Sequence, residues 1–299
     1  MRKAIVAGHF YLSDKSGLRG QVESCFFHKL GPGSLPKALR PAPRKIALIV
    51  PHAGYPYSGA CAAHAYKALM EVKKEDIAET IILLGPNHSG YGKTAFSLSL
   101  ESFETPLGLV ENNKELGKLL IEEASSLGLQ QDEAAHKLEH SIEVQLPFLQ
   151  FVYALFKKEF NIVPIVVSSI DYNSCVELAK KIYNVLTERW VSNKVCIIAS
   201  SDMTHYGMGY GFVPFTSNVK ENLYALDKEV ISHILKLDSN GFYKKATRAT
   251  ICGYAPIVIA IELAKQLGAK KAELLKYYTS GDIVNDYRNA VGYASIAIS

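Results

Sequence analysis

Three apolar runs in the chain each end on a histidine: "LIVPHAGY" (48–55), "IILLGPNHSG" (81–90) and "VCIIASSDMTHYG" (195–207). His52, His88 and His205 therefore sit just past three strand-like segments. Pro51 and Pro86 lack the N–H that a sheet ladder needs, so two of these strands must stop where the imidazole begins. In an open α/β sheet, ligands bind in the crevice beyond the carboxyl ends of the strands, where loops are free to carry polar groups. One histidine after a strand is usually a satisfied loop residue; three such endings point to a shared site. Gly54 and Gly59, Gly90 and Gly92, and Gly207, Gly209 and Gly211 follow closely, permitting tight turns and close approach of a ligand to the backbone. Neutral imidazole is a common ligand for zinc, copper and iron, and needs an outer acceptor to fix its tautomer.

Further candidates surround these histidines. Asp202, three residues before His205, either ligates or orients an imidazole, or caps a helix-like turn after "ASS". Cys252, in "RATICGYAPIVIAIELAKQLG", lies near a helix start and four residues after Arg248, a setting that favours thiolate and hence a metal ligand or nucleophile. Its alternative is a small buried hydrophobe, the role expected of Cys25, Cys61, Cys175 and Cys196. Tyr55 and Tyr57, on the loop of His52, are candidates to line a pocket, with packing of the loop as the alternative for both and more so for Tyr55. "HKLEH" (136–140) matches H-x-x-E-H, the inverted zinc-peptidase pattern. On a helix, His136 and His140 would share one face with Glu139 as base and Glu143 extending that face. The competing reading is a polar start to the helix "VQLPFLQFVYALF".

The elements that must position these groups follow from the pattern. Strands are predicted near 4–7, 45–50, 80–84, 95–100, 162–168, 194–200, 274–279 and 291–298, and helices near 58–71, 112–127, 139–158, 173–188, 218–236 and 254–267. This alternation predicts α/β layering around a largely parallel or mixed sheet. "IALIV", "TIILL", "IVPIVV" and "VCIIA" lack polar alternation, as expected of strands covered on both faces. "HKLGPGSLPKALRPAPRKI" (28–46), with four prolines and two glycines, reads as a meandering loop. The 27 residues before it are too few for a core of their own, so a single domain over 1–299 is expected.

Composition narrows the class. With 48% hydrophobic and 21% charged residues the chain is of ordinary soluble type. No apolar stretch approaches the roughly 18 residues of a membrane span, and "AIVAGHF" is too short for a signal-peptide core, so a cytoplasmic protein with no membrane partner is expected. The formal charge of +4 is spread over lysine pairs among acidic neighbours, without a basic stripe, so nucleic acid is not expected as a partner. Five cysteines without a C-x-x-C argue against a disulfide framework or a structural zinc knuckle.

Taken together, "AGHFY", "VPHAGYPYSG", "LGPNHSG", "LEHSIEVQLPFLQ", "SSDMTHYG", "ICGYAPI" and "AVGYASIAI" resemble the Memo family, also called AmmeMemoRadiSam system protein B, in the family's order from residue 7 to residue 298. Memo proteins are similar to the class III extradiol ring-cleaving dioxygenases, non-haem iron enzymes, and this implies a three-layer α/β/α sandwich around a mixed, largely parallel central sheet. The resemblance implies a metal site of His52, His88 and Cys252, with Asp202 and His205 in the pocket and His140 as a proton carrier. Its pattern centres on "EHS", here Glu139, His140 and Ser141, which leaves His136 outside and the peptidase match accidental. Leu12 stands where proline often follows the family's first motif.

In the ring-cleaving relatives two histidines and a carboxylate hold iron; here Cys252 takes the third place. Thiolate is softer than carboxylate, so copper(I) competes with iron(II), and zinc is admissible. The expected function is an iron or copper oxidoreductase acting on a small molecule or modified peptide, with Asp202 fixing the imidazole that moves a proton. The alternative is a phosphopeptide-binding or scaffold module using the same pocket, although paired arginines of dedicated phosphate readers are missing from the motifs. The family's second name further implies partnership with a radical-SAM enzyme and a second small protein.

Overall fold

The uninterrupted apolar runs become the centre of one sheet. The computed structural model describes residues 1–37, 42–190 and 194–299. Its strands are Ala47–Val50 (β1), Thr80–Pro86 (β2), Phe96–Leu98 (β3), Phe103–Thr105 (β4), Gly108–Asn112 (β5), Leu129–Gln131 (β6), Asn161–Val167 (β7), Val195–Ser200 (β8), His205–Gly207 (β9), Ala272–Thr279 (β10) and Asn289–Ile298 (β11). They pair in the order β10-β11-β1-β8-β2-β7-β3-β6, with β4 on β5, β5 also on β7, and β9 on β11. The contiguous set β1, β8, β2 and β7 is parallel, whereas β11 runs antiparallel to β1 and β10, and β3 antiparallel to β7.

The helices are Lys15–Phe27 (α1), Tyr55–Met70 (α2), Lys114–Ala124 (α3), Glu133–Lys137 (α4), Leu146–Leu155 (α5), Tyr172–Asn184 (α6), Val219–Leu235 (α7), Ser239–Ala246 (α8), Tyr254–Gln266 (α9) and Ser280–Val284 (α10). Successive strand side chains point to opposite faces, and both faces are covered. Leu48, Val50, Ile81, Leu83, Cys196 and Ile198 pack under α1, α2 and α5. Ala47, Ile49, Ile82, Leu84, Ile197 and Ala199 pack under α3, α6, α7, α8 and α9. The result is the expected three-layer α/β/α sandwich around a mixed, largely parallel sheet. None of the described helices is long and apolar enough to cross a membrane.

Several boundaries differ from the sequence reading. The strand predicted at 4–7 is absent, because the N–H groups of Ile5 and Val6 are spent on the carboxylate of Glu143 instead of a ladder. The helix predicted from 139 begins in earnest only at Leu146, after a 3-10 turn over Glu143–Gln145. Glu139 holds the preceding loop open by accepting from Ser141 N and from backbone N–H groups across the chain. Of the proline-rich stretch 28–46, residues 38–41 lie outside the described residues, and the rest forms no helix or strand.

Candidate metal centre

β1, β8 and β2 lie side by side and end at Val50, Ser200 and Pro86. Two residues past each end come His52, Asp202 and His88. Parallel strands of matched register thus deliver three polar side chains to one edge, as the proline stops imply. Cys252 reaches the same edge from the approach to α9. There the backbone of Gly253 presses against the end of β8: a Cβ at this glycine would lie 2.6 Å from the Ser200 carbonyl oxygen and 2.5 Å from Ser201 Cβ. Its N–H donates to Ser201 Oγ at 3.0 Å, fixing the approach.

Cys252 Sγ lies 3.2 Å from His52 Nε2. The rings of His52 and His88 meet nearly edge-on, with centroids 5.0 Å apart. One ligand atom from each of His52, His88 and Cys252 can be chosen so that all lie within 4.8 Å of one another. Donors sharing one ion at bond lengths of about 2.0–2.3 Å are separated by roughly 3–4 Å, a spacing the His52–Cys252 pair meets. Two imidazoles and a thiol are a coherent donor set for copper, iron or zinc.

Around these donors the imidazoles are oriented by further groups. His88 Nδ1 lies 3.0 Å from Glu139 Oε1, and His52 Nδ1 lies 2.9 Å from Ser200 Oγ. Glu139, His88 and His140 are also close enough to suggest a second ion. However, the Glu139 oxygens already accept from His88 N, Ser89 N and Ser141 N as well as facing the His88 ring, so this carboxylate orients and does not ligate. Asp202 caps no helix. Its Oδ1 accepts from His52 N at 2.9 Å, and its Oδ2 stands 3.9 Å from His52 Nε2.

A cleft of about 510 Å³ opens over the centre. His140, His205 and Asp202 line it with His52 and His88, and Phe10, Tyr57, Tyr210, Val291 and Tyr293 supply aromatic and apolar walls. Phe10 packs edge-on against His140 and Tyr210 against His205. His205 Nδ1 faces the Thr250 carbonyl at 2.9 Å; a carbonyl only accepts, so Nδ1 carries a proton and donates it there. Burial holds His52 well below its ordinary pKa, and the facing His88 and His140 add to the effect. Burial likewise pushes His140 down to about 4, leaving it neutral at pH 7. Burial pushes the Asp202 carboxyl up, opposed by His205 and by the His52 N–H.

The structure gives Tyr55 the packing role that the sequence held as its alternative, and leaves the H-x-x-E-H match accidental, as the resemblance implied. Tyr55 does not line the cleft: it is buried, donates from its hydroxyl to the Val144 carbonyl at 2.7 Å and packs on Phe148. Tyr57, two residues further along the helix, is 43% exposed at the mouth. His136 and His140 do not share a helix face, because α4 ends at Lys137. His136 is buried with Nε2 on the Ser97 carbonyl, and it belongs to no ion-holding group among the described residues. Ser200, Phe10, Tyr210 and Tyr293 escaped the sequence reading. For Ser200 a signal existed, since the buried apolar run "VCIIA" ends in two serines that nothing in a plain core requires.

The fold and this edge define an α/β/α sandwich with a His-His-Cys group at the carboxyl ends of its parallel strands. A family model described as Memo-like protein matches residues 2–297. A MEMO1 family protein of Methanopyrus kandleri is 39% identical, covering 99% of this chain and 98% of its own. Another, of Methanothermobacter thermautotrophicus, is 36% identical over 99% of this chain and 100% of its own. A third, of Saccharolobus islandicus, is 40% identical over 98% and 97%. The chain belongs to the Memo family.

Proposed function

We propose that this chain is a metal-dependent oxidoreductase of small molecules or modified peptides, in which His52, His88 and Cys252 hold iron(II) or copper. The observation that carries the reading is the convergence of two imidazoles and one thiol, with both imidazoles lining an organic-sized cleft. A soft thiolate beside two imidazoles suits a metal that changes oxidation state, and zinc would fit the same donors. Bound there, the ion would supply Lewis acidity and electron transfer.

The protein's own groups do the rest. Phe10, Tyr57, Tyr210 and Val291 offer flat, apolar walls to the body of a ligand and displace water from it. With Nδ1 committed to the Thr250 carbonyl, Nε2 is the atom through which His205 can exchange a proton with a ligand. Asp202, tied to the His52 backbone, adds a fixed carboxylate beside that imidazole. Among the described residues no lysine or arginine lines the cleft, so the phosphopeptide-reader alternative lacks the charged forks that phosphate recognition uses.

Elemental analysis after anaerobic purification tests the reading on wild type, His88→Ala and Cys252→Ser. Stoichiometric iron or copper in wild type, lost in both variants, is the expected result. Wild-type protein that stays metal-free after anaerobic loading overturns the reading, and full retention in Cys252→Ser overturns the ligand set.

A further inference from the structure

Ser200, the last residue of β8, is 1% exposed and has three polar neighbours around one hydroxyl. Its Oγ lies 2.7 Å from the Ser141 carbonyl, 2.8 Å from Gln145 Nε2 and 2.9 Å from His52 Nδ1. A hydroxyl has one proton to give, so the neighbours decide its direction. The Gln145 amide is oriented independently: its nitrogen faces the Pro51 carbonyl at 3.1 Å, and its oxygen accepts from Tyr66. The amide nitrogen therefore donates to Ser200 Oγ. The Ser141 carbonyl can only accept, and at 2.7 Å two bare oxygens would repel, so the Ser200 proton lies on that line. What remains to Ser200 is a lone pair, and His52 Nδ1 must bring the hydrogen.

We propose that Ser200 is a positioning residue that locks His52 in its Nδ1–H tautomer and so aims the Nε2 lone pair at Cys252. The consequence for metal binding rests on the reading of His52 as a ligand; the tautomer itself does not. In the other tautomer a proton on Nε2 would point at Cys252 Sγ, 3.2 Å away, and block the ligand position. The segment Glu139–Gln145 then governs both imidazoles. Glu139 faces Nδ1 of His88, while the Ser141 carbonyl and the Gln145 amide orient the hydroxyl that faces Nδ1 of His52. Outer partners of this kind typically contribute about 10- to 100-fold to metal affinity.

The test uses ¹⁵N-labelled metal-free protein, in which imidazole nitrogen spectra report which atom of His52 carries the proton, followed by titration with cobalt(II) alone, read by thiolate-to-cobalt absorption. Wild type is expected to show Nδ1–H. Ser200→Ala is expected to admit the Nε2–H form and to bind cobalt about 10- to 100-fold more weakly, and Ser200→Thr, which keeps the hydroxyl, to restore both. Should Ser200→Ala not fold, the nearly isosteric Ser200→Cys, a poor acceptor, takes its place. Nε2–H in wild type, or an unchanged tautomer without the hydroxyl, overturns the proposal. The Nδ1–H signature in a wild type that binds no cobalt upholds it and removes the metal reading; tight cobalt binding with an unchanged tautomer does the reverse.

Discussion

Glu139 accepts from the backbone N–H of His88 at 2.6 Å through one carboxylate oxygen and faces Nδ1 of the same residue at 3.0 Å through the other. The carboxylate thereby sets both the position and the tautomer of this imidazole. Burial alone would raise the Glu139 pKa, but the hydrogen bond from His88, with that from Ser141 N–H, outweighs it and holds the carboxyl at about 2. Glu139→Gln places an amide N–H₂ against at least one of these N–H donors. Metal affinity is expected to fall about 10- to 100-fold, measured by competition with a chelator of known strength; an unchanged affinity would remove Glu139 from any role in orienting His88.

The N-terminal segment is locked to the same loop by Arg2, whose guanidinium pairs with Glu143 and also donates to the carbonyls of His136 and Glu139. Glu143 is fully buried and accepts from Tyr11 and from Ile5 and Val6 N–H as well. Breaking a buried pair by deleting one member costs about 3–5 kcal/mol, because the other charge stays behind unpaired. Arg2→Ala is therefore expected to lower the unfolding free energy by that amount, read as a lower urea midpoint at unchanged slope. A loss under about 1 kcal/mol, as for an exposed pair, would show that the pair is solvated in solution.

How much of this the sequence discloses depends on whether a feature is local. "IALIV" and "TIILL" announce strands covered on both faces, and Pro51 and Pro86 announce where they end, so the sheet centre and His52 and His88 were legible from neighbouring residues alone. Cys252 was not settled by its surroundings in the chain; only the packing of Gly253 against β8 brings its thiol to the edge. Ile5 and Val6 look like a strand, yet a carboxylate well over a hundred residues away takes their N–H groups. The hairpin of β4 and β5 and the eight-residue helix α8 are too short for a periodic pattern to stand out, so tertiary contacts decide them. Tyr55 and Tyr57 differ by two positions on a helix, about 200° of rotation, which no loop-level reading could assign.

That rotation makes a paired prediction. Tyr55→Phe leaves the buried Val144 carbonyl without its donor and should cost about 1–3 kcal/mol in chemical denaturation. Tyr57→Ala removes a half-exposed wall of the cleft and should leave stability within about 0.5 kcal/mol while weakening occupancy of the cleft by an aromatic probe. Equal destabilisation by both would place Tyr57 in the core, contrary to its position at the mouth.

His136 supplies a pH dependence remote from the cleft. Burial pushes its pKa from 6.5 down to about 4, against the hydrogen bond to the Ser97 carbonyl and the charge of Glu133 and, more weakly, Glu139; Arg2 reinforces the depression. The folded state thus refuses a proton that the unfolded chain takes up below pH 6.5. Stability from this group is complete above pH 6.5, falls as pH drops from 6.5 towards 4, and is constant again below both values. At 1.36 kcal/mol per unit the loss is on the order of 3 kcal/mol. His136→Gln, which can still donate to Ser97, should therefore give a shallower fall in unfolding free energy between pH 6.5 and 4 than wild type, even though His140 titrates in the same interval. Parallel profiles for the two proteins in urea denaturation across that range would mean that His136 takes up its proton without leaving the fold.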